Sequence, residues 1–299
     1  MNNRLTIILY NAESADSKLV RALTSIRFQI GIKMTELKVI VVGQQRRLIT
    51  STDLSLLHPL NLTWVTDSHL TKGALLNQAL SQVTSEWVTF MDARDMFFAD
   101  GALLDFYQQF KQPHLPYQLL IYKYVYTVST KKQLVDFQSA DFLAYPYAKY
   151  FKVAFLKQQG LAFNPILAQY LLEDFTSRAV EVCAHPLWID LNHYYLSPRP
   201  AQTDDFSAFI TYRQAFLTYI KHHQANQNLY ERDLVWSIVR AWGILIASDQ
   251  PINRAQYDQL AQLVQLLTAV PNYQKLLTAE LKQQHLNRDL PYQKLRLGR

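Results

Sequence analysis

The stretch from Glu86 to Asp95 constrains the fold more than any other part of the sequence. Trp87–Met91 is an apolar run of aromatic and β-branched residues, and it leads directly into two acids, Asp92 and Asp95. A buried strand that ends in carboxylates is how an open α/β sheet presents a ligand site at the carboxyl ends of its strands. Because aspartate is also common in turns and at helix N-caps, this stretch alone leaves a purely structural interpretation open.

Apolar runs of strand length alternate with helical periods through the first two-thirds of the chain. We predict strands over Leu5–Tyr10, Leu37–Val42, Leu60–Val65, Glu86–Met91, Tyr117–Val128 and Trp188–Leu196. We predict helices from Leu19 to Ile30 and over Thr71–Val83, Asp100–Phe110, Lys149–Gln159 and Leu171–Cys183. Strands that alternate with helices pair in parallel and have both faces covered. The pattern therefore predicts an α/β fold with a mostly parallel sheet flanked by helices, of the Rossmann-like kind.

The character of the sequence changes near Pro198-Arg199-Pro200. Beyond this point only helical periods occur, and Leu234–Ile246 is apolar nearly all round, which predicts a buried helix. We therefore expect an α/β domain over residues 1–200 and an all-helical C-terminal region over residues 201–299.

Composition excludes several kinds of site. The chain has only 7 glycines, and neither a GxGxxG nor a GxxxxGK[ST] motif occurs. One cysteine, Cys183, cannot form a disulfide framework, and the 8 histidines show no metal-binding spacing. The net charge of +6 is spread along the chain without a basic-aromatic cluster, so we expect no nucleic-acid partner.

The ends of the chain bear on its location. A short apolar run follows Met1–Arg4, without the pattern of a signal peptide or a membrane span, so we expect a cytoplasmic protein. Lys294–Arg299 has three basic residues separated by leucines, which is one way to contact an anionic lipid surface. A peripheral position at the inner face of the membrane and a solvated tail are both open interpretations of this segment.

The order of these elements, together with five short motifs, resembles the glycosyltransferase family 2 domain, which has the GT-A nucleotide-sugar-binding fold. The resemblance covers roughly residues 4–200, and its motifs are Thr6–Glu13, Lys72–Asn77, Trp87–Asp95, Leu172–Phe175 and Asn192–Arg199. It implies a nucleoside-diphosphate-sugar donor, and a glycan, a lipid-linked molecule or a protein as acceptor. It also implies Mg²⁺ or Mn²⁺ on the donor diphosphate.

On this resemblance, a set of polar side chains would face the donor. The donor-binding candidates are Asn11, Gln44, Lys72, Asn77, Asp92 and Arg94, with Asp92 and Asp95 as the metal ligands. The chain departs from the family pattern at two donor positions. Gln44 stands where the family carries an acid after the second strand, and Arg94 replaces the second acid of the metal motif.

Arg94 has two possible roles on this account. It could lie beside a weakened metal site, or its guanidinium could form paired hydrogen bonds with the diphosphate and supply the charge of the metal. We therefore predict a divalent-metal requirement that is weak or absent.

The acceptor side would be formed by the segment around Glu173 and Asp174. A direct, inverting displacement needs one base near the acceptor hydroxyl, and we assign that role to Asp174 with Glu173 as its neighbour. Arg178 lies one helical turn later, so an i, i+4 ion pair would orient the carboxylate of Asp174. Tyr195 and Arg199 complete the acceptor-side candidates. Acids at a helix start also favour the helix dipole, which is the structural alternative.

Two functions are consistent with these residues. The first is a bacterial glycosyltransferase that extends a surface polysaccharide, a teichoic-acid-like polymer or a protein-linked glycan, with a possible homodimer contact through the helical region. The second is a catalytically degenerate GT-A scaffold, or a partner-binding subunit of a glycosylation complex. The acids missing at the donor positions favour the second, and Glu173-Asp174 favours the first.

Overall fold

The computed structural model describes the chain in segments separated by short gaps. The described residues are 4–11, 16–45, 55–109, 116–129, 135–140, 145–198, 205–223, 227–248, 252–267, 269–271 and 273–283. Two of the predicted segments, Arg199 and Lys294–Arg299, lie outside them. The chain divides into two units, Met1–Pro200 and Ala201–Arg299.

One mixed sheet runs through the first unit. Its strands are Leu5–Tyr10 (β1), Leu37–Gly43 (β2), Asn61–Thr66 (β3), Trp87–Asp92 (β4), Met96–Phe97 (β5), Leu119–Ser129 (β6), Val135–Ala140 (β7), Lys149–Lys152 (β8) and Pro186–Leu196 (β9). The strand order is β3-β2-β1-β4-β8-β6-β9-β5, with β7 paired to β6. The β3-β2-β1-β4 half is parallel throughout, as the alternation of strands and helices predicts.

Helices cover the sheet of the first unit. They are Asp16–Arg27 (α1), Lys72–Ser81 (α2), Ala102–Gln108 (α3), Val153–Gln158 (α4) and Leu171–Val182 (α5), with a 3-10 turn at Met34–Glu36. The start of α2 is fixed by Thr71, whose hydroxyl accepts a hydrogen bond from the backbone N–H of Ala74 at 3.3 Å.

Strands β1 and β4 form the centre of the core, and every residue of both is buried. Successive side chains of a strand point to opposite faces, so the aromatic residues of β4 reach both layers of helices. Trp87 contacts Phe106 of α3, whereas Phe90 contacts Phe175 of α5 and Phe163 just before it. The predicted strand at Glu86–Met91 is therefore confirmed, one residue later than predicted, and like β1 it is buried along its whole length.

The prediction of a single helix over Lys149–Gln159 is wrong in its first part. Lys149–Lys152 forms β8, which pairs antiparallel to both β4 and β6, and the helix begins only at Val153. The ring centres of Tyr150 and Phe106 lie 4.1 Å apart in a stacked arrangement, and those of Phe151 and Phe175 lie 5.5 Å apart. The rings of Tyr150 and Phe151 therefore enter opposite layers. Beyond β4 the sheet thus becomes mixed, with β5, β7 and β8 as strands that the sequence pattern did not predict.

The second unit is helical, as its periodicity predicts. Its helices are Phe206–His222 (α6), Gln227–Ala247 (α7), Arg254–Leu267 (α8) and Tyr273–Gln283 (α9). Most of the apolar stretch Leu234–Ile246 is buried, although Ile246 is 45% exposed. Among the described residues, no helix combines the length and the apolar character that crossing a membrane would require.

A buried ion pair joins α6 to α7. Arg213 is 3% exposed, and its Nη2 lies 2.6 Å from Oδ1 of Asp233 while its Nε donates to Oγ of Ser237 at 2.7 Å. The guanidinium also lies 4.5 Å from the ring centre of Phe216 and 4.8 Å from that of Trp236. Arg213 therefore links the two helices through charge, hydrogen bonds and cation–π contacts.

Candidate active site

In the sheet, β2 and β3 lie on one side of β1 and β4 lies on its other side, which places a crevice at the carboxyl ends of β1 and β4. Tyr10, the last residue of β1, is paired with Val42 of β2 on one side and with Asp92 of β4 on the other. Ligands of open α/β sheets bind at such switch points. Asn11 follows Tyr10, is 3% exposed, and its Oδ1 accepts no hydrogen bond from the described residues. A buried acceptor of this kind marks a place where a ligand or water donates.

Lys72 lies at the same end of the sheet. It is the first residue of α2, and its Nζ lies 4.3 Å from the centre of the Tyr10 ring. The neighbouring Gly73 approaches the segment before α5 so closely that a Cβ there would lie 2.8 Å from Cα of Pro165 and 3.0 Å from Cδ1 of Leu171. The absence of a side chain at Gly73 thus lets the start of α2 pack against the start of α5.

The side chain of Arg94 is directed at Asp92. Arg94 Nε donates to Oδ1 of Asp92 at 2.9 Å and Nη2 donates to Oδ2 at 2.8 Å, which is a bidentate ion pair. The backbone N–H of Arg94 also donates to Oδ1 of Asp92, at 2.9 Å. Hydrogen bonding to Asp92 raises the pKa of Arg94 further above its ordinary value, so the guanidinium stays charged.

Asp95 is turned away from this pair. It is fully buried, its Oδ2 accepts a hydrogen bond from the hydroxyl of Tyr194 at 2.9 Å, and its Oδ1 accepts one from the backbone N–H of Ser197 at 2.9 Å. Burial raises the pKa of Tyr194 well above its ordinary value, so the hydroxyl keeps the proton that it donates. Asp95 therefore stabilises the turn after β4.

The two predicted metal ligands, Asp92 and Asp95, both have protein partners for their carboxylate oxygens. Both oxygens of Asp92 bind Arg94, and both oxygens of Asp95 bind donors from β9 and the residues after it. Within the described part of the chain, no group of three or more His, Cys, Asp or Glu side chains could hold a metal ion. In this arrangement the two carboxylates do not fit a divalent cation.

Of two other donor-side candidates, Asn77 is bound to the protein backbone and Gln44 is exposed. Asn77 uses both ends of its amide on the backbone of Phe163, donating to the carbonyl at 2.7 Å and accepting from the N–H at 2.8 Å. We therefore expect Asn77 to position the segment before α5 rather than to contact a donor. Gln44 follows β2 at the carboxyl end of the sheet, and its side chain is exposed.

The acceptor-side carboxylate is in a buried ion pair. Asp174 is 1% exposed, and its Oδ2 accepts hydrogen bonds from Nε and Nη2 of Arg178 at 3.0 and 2.5 Å. Arg178 also donates to the carbonyl of Ala162 at 2.7 Å. The predicted i, i+4 pair is formed. Glu173 lies beside Asp174 in the first turn of α5 and is only partly buried.

Other residues near the site were not predicted. Arg21 of α1 donates from Nη2 to the carbonyl of Arg94 at 2.6 Å, and the hydroxyl of Ser197 donates to the same carbonyl at 2.5 Å. Nothing in the local sequence indicates either contact, because both partners are distant along the chain.

The acceptor-side candidate Tyr195 is partly buried in β9, where it pairs with Met96 of β5 and with Val125 of β6.

Similar solved structures exist for this fold. The S. aureus TarS 1-349 structure in complex with UDP-GlcNAc matches with a TM-score of 0.69 and 19% identity, over 93% of this chain and 85% of that chain. A longer S. aureus TarS structure matches with a TM-score of 0.67 and 18% identity, and the match covers 93% of this chain but only 51% of that one. The mannosyltransferase PcManGT from Pyrobaculum calidifontis, in complex with GDP-Man and Mn²⁺, matches with a TM-score of 0.50 and 17% identity, over 94% of this chain and 84% of that chain.

The comparisons establish the architecture. The chain has a GT-A-type glycosyltransferase fold, which confirms the fold expected from the order of the sequence motifs. No protein-family model matches the sequence. No curated protein sequence matches it either. At identities below 20%, the structural likeness defines the fold, and the chemistry has to be argued from the site.

Proposed function

We propose that this chain is a glycosyltransferase that moves a sugar from a nucleoside-diphosphate sugar to a hydroxyl acceptor. The observation that carries the proposal is the buried Asp174–Arg178 pair at the start of α5. Gly73 packs the start of α5 against the start of α2, where Lys72 lies over Tyr10 at the carboxyl end of β1. The helix that carries the candidate base therefore packs against the helix that starts at the candidate anion site, and a base near an anion site is the combination that glycosyl transfer needs.

The donor side must meet the negative charge of the leaving diphosphate. The cation of Lys72 lies over Tyr10 at the carboxyl end of β1, and that of Arg94 is paired with Asp92 at the carboxyl end of β4. Because Asp92 and Asp95 do not fit a metal ion, we propose that Lys72 and Arg94 neutralise the negative charge of the diphosphate. Asn11 supplies an acceptor for a base or ribose donor, and Gln44 supplies a neutral amide nearby.

The acceptor side needs one base. Asp174 would take the proton of the acceptor hydroxyl as the oxygen bonds to the anomeric carbon and the nucleoside diphosphate leaves with the electrons of the broken bond. A single displacement of this kind inverts the configuration of the anomeric carbon. Arg178 is the positioning residue for this step, because its two hydrogen bonds to Oδ2 fix the orientation of the carboxylate. Glu173 lies beside the base in the same helical turn, on the acceptor side.

The acceptor and the cellular setting are further parts of the proposal. We propose a glycan, a lipid-linked precursor or a protein as acceptor, in the assembly of a bacterial surface polysaccharide, a teichoic-acid-like polymer or a protein-linked glycan. The reaction would take place in the cytoplasm or at the inner face of the membrane. The helical unit, Ala201–Arg299, is the part of the chain that we propose for a homodimer contact.

A thermal-shift panel with UDP-, GDP-, CDP- and dTDP-sugars tests the donor side directly. We expect one nucleotide class to raise the melting temperature, and we expect the same shift in EDTA as in Mn²⁺, because protein cations rather than a metal meet the diphosphate. Absence of a shift with all four donors in both conditions would contradict the proposal and favour a catalytically inactive scaffold. A shift that occurs only with Mn²⁺ would contradict the proposal that Lys72 and Arg94 neutralise the charge of the diphosphate.

A further inference from the structure

Arg94 is held at both of its backbone polar groups and at one edge of its guanidinium. Its backbone N–H and one edge of its guanidinium bind Asp92, and its carbonyl accepts hydrogen bonds from Arg21 and Ser197. These partners come from α1, from β4 itself and from the residue after β9, so Asp92 fixes the side chain of Arg94 while two other parts of the fold fix its backbone.

One edge of the guanidinium remains available. Arginine has five N–H donors in a planar fork, and Asp92 takes two of them, from Nε and Nη2. The other three find no acceptor among the described residues, and the side chain is 35% exposed. An edge with two parallel N–H groups matches two oxygens of a phosphate group. Because the other edge is fixed, little conformational entropy would be lost when an anion binds.

We propose that Asp92 is a positioning residue: it orients the guanidinium of Arg94 so that the free edge faces the diphosphate of the donor, while Arg21 and Ser197 hold the backbone of Arg94 in place. This inference rests on the proposed function for the identity of the anion. It gives Asp92 a role opposite to that of a metal ligand, since its carboxylate binds a cationic side chain of the protein instead of an ion. Asp92 therefore acts only through Arg94.

A double-mutant cycle with inorganic pyrophosphate, measured by calorimetry in EDTA, tests this role. We expect Arg94→Met to weaken pyrophosphate binding about 30-fold and Asp92→Asn to weaken it about fivefold. The asparagine side chain retains an oxygen that can accept from the backbone N–H of Arg94, so the turn is preserved in the Asp92→Asn variant. The decisive expectation is that Asp92→Asn has no further effect when Arg94 is already replaced by methionine.

Glu86→Gln is the matched control. It removes one negative charge from the residue just before β4, at the opposite end of that strand, where Glu86 is 53% exposed and lies 3.8 Å from Lys152. We expect pyrophosphate binding within about twofold of wild type, which would separate a local effect of Asp92 from a general change in charge.

Several outcomes would overturn the inference. An additional loss from Asp92→Asn in the Arg94→Met background would show that Asp92 acts without Arg94. Stronger binding in Mn²⁺ that disappears in Asp92→Asn would make Asp92 a metal ligand. An unchanged affinity in Asp92→Asn alone would make the ion pair purely structural. If the wild-type protein binds neither pyrophosphate nor any of the four nucleoside diphosphates, the proposed function fails together with this inference.

Discussion

Replacing Asp174 with asparagine is expected to lower the rate of sugar transfer by about a thousandfold, with the dissociation constant of the donor changed by less than about threefold. Asparagine has nearly the shape of aspartate but cannot accept the proton of the acceptor hydroxyl. The donor contacts that we propose lie on β1, α2 and the turn after β4, so they are retained. Single-turnover rates, together with donor binding by calorimetry, would measure both quantities.

The control for this variant is Glu173→Gln, which removes the neighbouring carboxylate. Glu173 is only partly buried, and we expect its loss to change the rate by no more than about tenfold. Stability has to be measured in parallel, because Asp174→Asn leaves Arg178 buried beside a neutral amide. Turnover at the wild-type level in Asp174→Asn would reject Asp174 as the base, and loss of donor binding would show that its role is not confined to the acceptor side.

Replacing Arg213 with alanine is expected to lower the free energy of unfolding of the helical unit by about 3–5 kcal/mol. The change leaves Asp233 without its partner from α6, and it empties the space between the rings of Phe216 and Trp236. Asp233 is 21% exposed at its side chain, so water can compensate only part of the lost contact. Urea denaturation followed by circular dichroism would measure the effect on the helical signal.

Arg254→Ala is the matched control for this measurement. Arg254 is 96% exposed, and its ion pair with Asp258 has a distance of 4.0 Å. Exposed pairs of this kind contribute about 0–1 kcal/mol, so we expect little change in the unfolding transition. Equal effects of the two substitutions would contradict the assignment of Arg213 as the link between α6 and α7.

The sequence predicts the parallel half of the sheet well because buried strands have an unmistakable composition. Leu5–Tyr10 and Trp87–Asp92 are mostly apolar and β-branched or aromatic, and both are buried along their whole length. Strand β8 was missed for the opposite reason. Its four residues have lysines at both ends, and its pairing with β4 and β6, together with the packing of Tyr150 and Phe151 into opposite layers, stabilises it as a strand. The long-range pairing of a short segment cannot be inferred from its own period.

The candidate site shows the same limit at the level of side chains. The family resemblance implied that Asp92 and Asp95 act together, but Asp92 binds its neighbour Arg94, whereas Asp95 binds residues from elsewhere in the fold. Tyr194 and Ser197 bind Asp95 from 99 and 102 residues away, and Arg21 supports Arg94 from 73 residues away. By contrast, the Asp174–Arg178 pair was predictable because an i, i+4 contact is local to one helix.

The most direct test of the central claim is a crystal structure of the protein grown with a nucleoside-diphosphate sugar in the presence of EDTA. The account predicts diphosphate oxygens within hydrogen-bonding distance of the free edge of Arg94 and close to Lys72. It also predicts that Arg94 remains paired to Asp92 and that no metal ion lies between Asp92 and the diphosphate. A donor bound elsewhere on the chain, or an Arg94 side chain turned away from the diphosphate, would contradict it.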